Sequence, residues 1–143
     1  MSMKAQAEDI MDLWLLARRT AAILERRAEA ALQAELGLPL SLYALLSTLD
    51  AHDCDVNQQE TADLLGLTKS SVSRQVEAAV AAGLLEQTLR PGSRREKVQQ
   101  FTPEGRDVLD RAYGILASIA PDSAPEQHAA TASLAALLGR IDD

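Results

Sequence analysis

The sequence has few aromatic residues, a single cysteine and no long apolar run. Aromatic side chains make up 3% of its 143 residues, while alanine and aliphatic side chains dominate, which favours a helical protein. One cysteine cannot form an internal disulfide. No apolar run reaches the roughly 20 residues of a membrane helix, and the N-terminus lacks the basic-then-apolar pattern of a signal peptide. We therefore expect a cytoplasmic protein of one domain, with no membrane partner.

No set of catalytic residues is recognisable either, whether Ser-His-Asp, Cys-His, a phosphate-binding loop or a paired acid and base. The segment His52-Asp53-Cys54-Asp55 has metal-ligand chemistry, but adjacent loop residues rarely all face one ion and no second cluster completes a site. A solvated polar turn is the favoured interpretation. A redox-sensing Cys54 is an alternative, although no basic neighbour in the sequence would lower its pKa. We predict no enzyme activity, no cofactor and no metal site.

The net charge of −7 argues at first against a nucleic-acid partner, but the charge is unevenly distributed. The stretch from Gly66 to Thr102 contains six basic and three acidic residues, so it carries +3 and the remainder of the chain −10. Exposed charges more than about 10 Å apart are largely screened at physiological salt. A basic surface on an acidic chain can therefore bind phosphates.

Two short helices are predicted from Asn57 onwards. Asn57 with Glu60 is a capping box, Gly66 suits the left-handed residue that ends a helix, and Thr68 is a good N-cap for the next one. This is a helix-turn-helix pattern. Apolar residues at helical spacing predict the buried sides, which are Ala62, Leu64 and Leu65 in the first helix and Val72, Val76, Ala79 and Val80 in the second.

The second of these helices has hydroxyls, an amide and cations outside its apolar side. Near a helix N-terminus such groups hold phosphates, and an arginine can form two hydrogen bonds with guanine in the major groove. A plain solvent-exposed helix would show the same residue types. The candidate DNA-binding residues of this segment are Thr68, Lys69, Ser70, Ser71, Ser73, Arg74 and Gln75.

The continuation favours the DNA-binding interpretation. Leu84–Leu89 is predicted as a short strand and Val98–Phe101 as a returning one. The turn between them, Arg90–Arg95, contains Pro-Gly and three arginines, all assigned to its tip. Arginines at the tip of a thin hairpin cannot belong to a core, and they suit the negative potential of a minor groove. Thr102-Pro103 then begins a new helix.

The stretch from Asn57 to Gly105 resembles the winged helix-turn-helix of the MarR family of bacterial transcription regulators. The segment LGLTKSSVSRQVEAAVAAGLL matches that family's second and recognition helices in spacing. The family's wing has Asp-x-Arg, five residues, then Leu-Thr-x-x-Gly. Here it reads Ser93-Arg94-Arg95, five residues, then Phe101-Thr102-Pro103-Glu104-Gly105. Ser93 thus replaces the aspartate that usually holds the wing arginine. The resemblance implies that Arg95 enters the minor groove and that Arg94 contacts phosphate. The basic residue Lys97 is a further candidate DNA-binding residue.

Helical stripes flank this lobe on both sides. Residues 8–36 carry one wide apolar stripe, and residues 103–143 form two helices separated by a break at Pro121–Pro125. Neither end can bury its stripe alone in so small a chain, which predicts a two-fold dimer, as the MarR resemblance also implies. The predicted fold is mainly α with a small two- or three-stranded antiparallel wing. A winged helix-turn-helix DNA-binding lobe (40–102) lies between dimerisation helices (8–36 and 103–143) in a single domain (1–143).

The predicted function is a homodimeric transcriptional regulator, a repressor, that binds a pseudo-palindromic double-stranded DNA operator. The resemblance also implies release by a small effector, often an aromatic acid or phenol, bound between the dimerisation helices and the DNA-binding lobe. Trp14, Tyr43 and Tyr113 are candidates for lining that pocket. The competing interpretation of each is an ordinary core aromatic or, for Trp14, a dimer contact. The alternative function is a dimeric winged-helix interaction module without sequence-specific DNA binding.

Overall fold

The computed structural model describes residues 1–122 and 124–142 of the chain. Over these ranges it confirms a mainly α fold with an antiparallel wing, and the wing has two strands. The register pairs Leu85 with Phe101 and Leu89 with Lys97. The elements in chain order are α1 (Met3–Leu36), α2 (Leu40–Ala51), α3 (Gln58–Leu65), α4 (Lys69–Ala81), β1 (Leu85–Leu89), β2 (Lys97–Phe101), α5 (Pro103–Ser118) and α6 (Ala124–Ile141).

The predicted helix boundaries around the helix-turn-helix are confirmed. Asn57 Oδ1 accepts a hydrogen bond from the Glu60 N–H at 2.8 Å, and Glu60 Oε1 accepts one from the Asn57 N–H at 3.2 Å, which completes the capping box. α3 ends at Gly66, whose φ of 66° would cost other residues about 1–2 kcal/mol. Thr68 Oγ1 accepts from the Ser71 N–H at 3.1 Å and so begins α4. Local side chains therefore fix both ends of the turn.

The core lies where α2, α4 and α5 meet, joined by Leu32 of α1 and Leu85 of β1. Its largest fully buried side chains include three leucines of α2 and two valines of α4. Two residues predicted to face inward are exposed instead, Leu64 at 52% and Val80 at 40%. Both residues lie at the edge of a helix face whose centre is buried. The spacing of apolar residues in a sequence locates the centre of such a face but not its edge.

Helices α1 and α6 are hardly buried by the rest of the chain. α1 begins at Met3, earlier than the predicted residue 8, because Ser2 Oγ accepts a hydrogen bond from the Ala5 N–H at 3.2 Å. Within the described residues, Leu32 is the one buried side chain of α1, and α6 has none. Both apolar stripes are therefore open in the single chain. The exposed side chains are Ile10, Met11, Leu13, Trp14, Leu15, Leu16, Ile23, Leu24, Leu134, Leu137, Leu138 and Ile141.

The start of α5 is locked onto the chain just before the wing. Thr102 Oγ1 accepts a hydrogen bond from the Gly105 N–H at 2.9 Å and donates one to the Gly83 carbonyl at 2.6 Å. The Thr102 N–H donates to the Leu84 carbonyl at 3.1 Å. A Cβ at Gly105 would lie only 1.9 Å from that carbonyl oxygen, so glycine is required here for close approach. This packing explains the Thr-x-x-Gly half of the wing pattern.

Helix length and apolar composition bear on membrane crossing. No single helix in the described ranges is long and apolar enough to span a bilayer. Taken together, α1 and α2 meet the length and composition of a membrane span, but the chain bends by 91° between them.

Candidate nucleic-acid interface

The N-terminal turn of α4 presents hydrogen-bonding groups to solvent. Ser71 Oγ accepts hydrogen bonds from Thr68 Oγ1 at 3.0 Å and from Arg74 Nη2 at 3.3 Å. The Arg74 guanidinium is thereby held along the first turns of the helix while its side chain remains exposed. The positive end of the helix dipole and the exposed Lys69 lie at the same place. This end of α4 can therefore bind anions, phosphate among them.

The predicted DNA-binding residues of α4 differ in exposure. Thr68, Lys69, Ser70 and Arg74 are exposed, and Ser71 and Ser73 are half-buried. Gln75 is half-buried as well, and its side-chain amide oxygen, Oε1, is enclosed without a hydrogen-bond partner in the described part of the chain. It lines a cavity of about 320 Å³ with residues at the start of α2. Gln75 therefore borders the α2–α4 contact, and Ser71 and Arg74 line the same cavity.

A groove of about 270 Å³ separates the N-terminus of α4 from the wing. It is lined by Lys69 of α4 and by Arg95 and Lys97 of the wing, so the structure brings the two predicted basic segments together. Gln58 and Gln59, at the N-terminus of α3, also line it and were missed by the sequence reasoning. Their signal was two amides directly after an N-cap, at a helix end that favours anions.

Ser93 orders the wing turn through the backbone. Its hydroxyl oxygen accepts hydrogen bonds from the N–H groups of Arg95 at 3.3 Å and Glu96 at 3.0 Å, and its own N–H donates to the Arg90 carbonyl at 2.9 Å. The exposed side chains of Arg94 and Arg95 have no hydrogen-bonding or ionic partner among the residues that the structure describes. Both guanidinium groups are therefore available to a ligand.

The assignment of Arg90 to the wing tip is wrong. Its N–H donates to the Glu96 carbonyl at 2.7 Å and closes the base of the turn, and its side chain is only 23% exposed. The guanidinium contacts the carboxylates of Asp55, Glu60 and Glu96. Arg90 is thus neutralised by the protein, which leaves two arginines, Arg94 and Arg95, at the tip.

A second polar cluster joins α2 to α5. One oxygen of Asp50 accepts a hydrogen bond from Arg106 Nη1 at 2.7 Å, and the other accepts one from the Tyr113 hydroxyl at 2.5 Å. The Tyr113 hydrogen bond, and then Arg106, hold the pKa of the Asp50 carboxyl below its usual value. Burial and the contact with Asp50 raise the pKa of Tyr113, so its hydroxyl stays protonated and donates. The cluster ties the predicted DNA-binding lobe to the first C-terminal helix.

The predicted pocket aromatics do not all lie together. The rings of Tyr43 and Tyr113 meet edge to face, with centroids 6.2 Å apart. Trp14 is 52% exposed on α1, and the Arg18 guanidinium lies 5.4 Å from its ring centroid. Of the two competing interpretations of Trp14, an ordinary core aromatic does not hold for the single chain, and a dimer contact stays a prediction. Trp14 also lies about 22 Å along α1 from Glu29. The Glu29 carboxylate accepts a hydrogen bond from the N–H of Leu40, the first residue of α2.

Cys54 lies in a tight loop after α2. It and Asp53 have left-handed backbone, with φ of 59° and 51°, and Cys54 is buried at 6% exposure. Burial raises the pKa of the Cys54 thiol, and Arg106, a basic neighbour that the sequence did not reveal, offsets this only in part. A thiol with a raised pKa is a poor nucleophile. In residues 1–122 and 124–142, no three His, Cys, Asp or Glu side chains gather closely enough to hold a metal ion.

We expect Asp50→Asn to lower the free energy of unfolding at neutral pH by about 1–2 kcal/mol, since the Arg106 ion pair is lost and the Tyr113 hydrogen bond is weakened. The depressed pKa of Asp50 means that its contribution is present above about pH 4 and disappears as the pH falls through the folded-state value. The difference in stability between wild type and variant should therefore shrink on acidification.

Urea unfolding of both proteins from pH 7 to pH 3 measures this difference. Glu86→Gln is the control, because it removes one carboxylate from an exposed strand position with no ionic partner in the described part of the chain. A pH-independent difference for Asp50→Asn would show that the Asp50 charge does not stabilise the α2–α5 contact.

Comparison with known proteins assigns the lobe that carries the candidate interface. The sequence model of the MarR family matches residues 36–96, from the end of α1 through the wing turn. No curated protein sequence matches the chain. The matched segment contains α3, α4 and the residues of the wing tip.

Three solved structures are similar over most of the chain. CouR from Rhodococcus jostii RHA1, bound to p-coumaroyl-CoA, is 28% identical with a TM-score of 0.70, and the match covers 84% of this chain and 88% of CouR. Sco3205, a MarR family transcriptional regulator from Streptomyces coelicolor in complex with DNA, is 21% identical with a TM-score of 0.77, over 100% of this chain and 94% of that one. The MarR family protein Rv2887 from Mycobacterium tuberculosis, in complex with salicylic acid, is 24% identical with a TM-score of 0.65, over 85% and 93%.

The two matches below 25% identity show a shared fold, and the family match covers α4 and the residues that line the groove except Lys97. Proteins of this family are transcription regulators and not enzymes, in agreement with the prediction from the sequence. Residues 36–96 match the sequence model of the MarR family, and the similar solved structures are MarR family transcription regulators that share the winged helix-turn-helix fold of this chain.

Proposed function

We propose that this protein is a homodimeric repressor that binds an inverted-repeat operator and is released by a small ligand. α4 of each chain enters a major groove, and each wing places Arg95 in the adjacent minor groove with Arg94 on phosphate. A dimer bound in this way covers about two turns of DNA and blocks access for other proteins, which is the basis for proposing repression.

One observation carries the DNA-binding proposal. The exposed cations Lys69, Arg95 and Lys97 line one groove between α4 and the wing, with Arg74 exposed along the same end of α4. Arg90 and Arg106 are instead bonded to carboxylates of the chain. The net charge of −7 describes the whole chain, and the exposed cations still form a basic surface at this place.

The dimer proposal is supported by the open stripes of α1 and α6. α6 carries four large apolar side chains that the single chain leaves exposed: Leu134, Leu137, Leu138 and Ile141. An apolar helix face of this kind is normally covered by a partner, and a two-fold mate covers two such faces at once. We assign Trp14, exposed on α1, to the same contact.

Leu138→Asp is expected to convert the dimer to a monomer at micromolar concentration, because it places a charge in an interface that excludes water. Operator affinity should fall at least about 100-fold, since a monomer holds only one half-site. Sedimentation velocity gives the mass and anisotropy titration the affinity. Ala136→Asp is the control: it adds the same charge on the opposite side of α6 and should leave the mass unchanged. A dimeric Leu138→Asp protein would remove α6 from the interface.

The proposed effector is a small aromatic acid or phenol bound between the dimerisation helices and the DNA-binding lobe. The similar proteins CouR and Rv2887 are bound to p-coumaroyl-CoA and salicylic acid. In this chain a phenol could compete for Asp50, which now accepts from Tyr113, beside the Tyr43 ring. A ligand acts only if it favours one arrangement of the two lobes. Salicylate and p-coumarate should then dissociate the DNA complex at concentrations that Tyr113→Phe shifts.

Selection of bound sequences from a random duplex library tests the proposed function. We expect enrichment of an inverted repeat with half-sites about one helical turn apart, and affinity that falls steeply with salt. Absence of an enriched motif, with only weak salt-sensitive binding, would favour a winged-helix interaction module instead.

A further inference from the structure

We infer that Arg90 is the positioning residue of the wing: it holds the hairpin against the N-terminus of α3 and so sets where Arg94 and Arg95 meet DNA. This inference rests on the proposed function, because it concerns the wing's approach to a minor groove. It assigns no DNA contact to Arg90 itself.

The contacts of Arg90 come from three different parts of the chain. Nη1 is paired with Asp55 in the loop before α3, and Nη2 lies 3.3 Å from Glu60 Oε1 in the first turn of α3. Nε lies 2.8 Å from Glu96 Oε2, just before β2, at an angle too poor for a hydrogen bond, so that this contact is ionic. The planar guanidinium carries its donors on three nitrogens at fixed positions, whereas the three donors of a lysine all diverge from one nitrogen.

Two of these carboxylates, those of Glu60 and Glu96, also contact Asn57, the N-cap residue of α3, so the wing and the helix share one network. Glu60 Oε1 accepts from Arg90 and also from the Asn57 N–H. Glu96 Oε1 accepts from the Asn57 side-chain amide. Asn57 in turn caps α3 through its Oδ1. A movement of the wing base would therefore disturb the start of α3, the helix that packs directly on α4.

Charge balance makes Arg90 the central member of this network. One guanidinium faces three carboxylates, so removing it leaves three like charges close together with no cation between them. Their repulsion would push the wing base away from α3. Within the described residues, a second side-chain link between the wing and α3 is the hydrogen bond from the Asn57 amide to Glu96, and the Ser93 side chain bonds only to the backbone of the turn.

The test compares wild type, Arg90→Gln, Arg95→Ala and the double variant, by anisotropy titration with the selected operator. We expect Arg90→Gln to weaken binding about tenfold or more in the wild-type chain, and by less than about twofold when Arg95 is already alanine. Equal losses in both backgrounds would mean that Arg90 contacts DNA directly and would overturn the inference. Unchanged affinity of Arg90→Gln would also overturn it.

Hydrogen exchange separates this inference from the proposed function. In Arg90→Gln, exchange should accelerate at residues 90–101 and the first turn of α3, while α2 and α5 stay protected. Failure of the wild type to bind DNA would refute the proposed function, and the exchange pattern would still decide whether Arg90 holds the wing. Should Arg90→Gln fail to fold, Glu96→Gln removes one ionic contact but keeps an acceptor for Asn57. It should show the same pattern more weakly, and unchanged exchange in it would overturn the inference.

Discussion

Arg95→Ala is expected to weaken binding to the selected operator about 10- to 100-fold, which corresponds to roughly 1.4–2.8 kcal/mol, while leaving the melting temperature unchanged. The side chain is exposed and has no partner in the described part of the chain, so its loss costs the folded state nothing. The Arg95 backbone N–H that bonds Ser93 is retained in alanine, and the turn should keep its shape. Anisotropy titrations at two salt concentrations, with thermal unfolding alongside, measure both effects.

Arg111→Ala provides the matched control for this prediction. It removes one positive charge from an exposed position on α5, where the only ionic contact described is a 3.9 Å pair with Asp107. Its effect on operator affinity should be less than about twofold, since surface pairs of this kind contribute little. Equal affinities for Arg95→Ala and wild type would remove the wing from the DNA interface. Equal losses of affinity for Arg95→Ala and Arg111→Ala would mean that Arg95 contributes only through the overall charge of the protein.

Gly105→Ala is expected to lower the free energy of unfolding by about 3 kcal/mol or more, with a fall in melting temperature of roughly 10 °C. The added Cβ would lie 1.9 Å from the Leu84 carbonyl oxygen and 2.7 Å from its carbon, and backbone atoms cannot rotate away as a side chain can. The start of α5 must then move away from Gly83 and Leu84, which precede β1, and this breaks the hydrogen bonds that Thr102 forms with them. DNA binding should decline as the folded fraction falls, because the wing then lacks the contact with the start of α5 that holds it in place.

Gly114→Ala makes the same substitution two and a half turns further along α5. A Cβ there meets no described atom within 4 Å, so the change should stabilise the helix by about 0.5–1 kcal/mol. Urea unfolding of the three proteins at one concentration compares them, because the stability of the proposed dimer would depend on concentration. Similar stabilities for Gly105→Ala and Gly114→Ala would show that the start of α5 does not pack on the Leu84 backbone as described.

Local signals in the sequence predicted most of the fold. Asn57, Glu60, Gly66 and Thr68 mark helix ends through contacts within four residues, and the structure has those caps in place. The wing was predictable for the same reason, because a Pro-Gly turn between two short β-prone segments needs no distant partner. The order of elements followed from these boundaries.

Contacts between segments that are distant in the sequence could not be predicted from such local signals. Arg90 and Asp55 are 35 residues apart, and Asp50 and Tyr113 are 63 apart. Nothing near Arg90 in the sequence distinguishes it from Arg94 or Arg95, so all three were assigned to the tip. Cys54 likewise gained Arg106 as a neighbour only when α5 packed against the loop after α2.

The sequence by itself determined the helix-turn-helix, the hairpin and the apolar stripes of both ends, because caps, turns and helical periodicity are set by neighbours along the chain. Tertiary structure alone decided which arginine of the wing is neutralised and which are available. It also decided how Asp50 joins α2 to α5. Charge pairing depends on distance in space, and three carboxylates from separate segments converge on Arg90 only after the chain has folded.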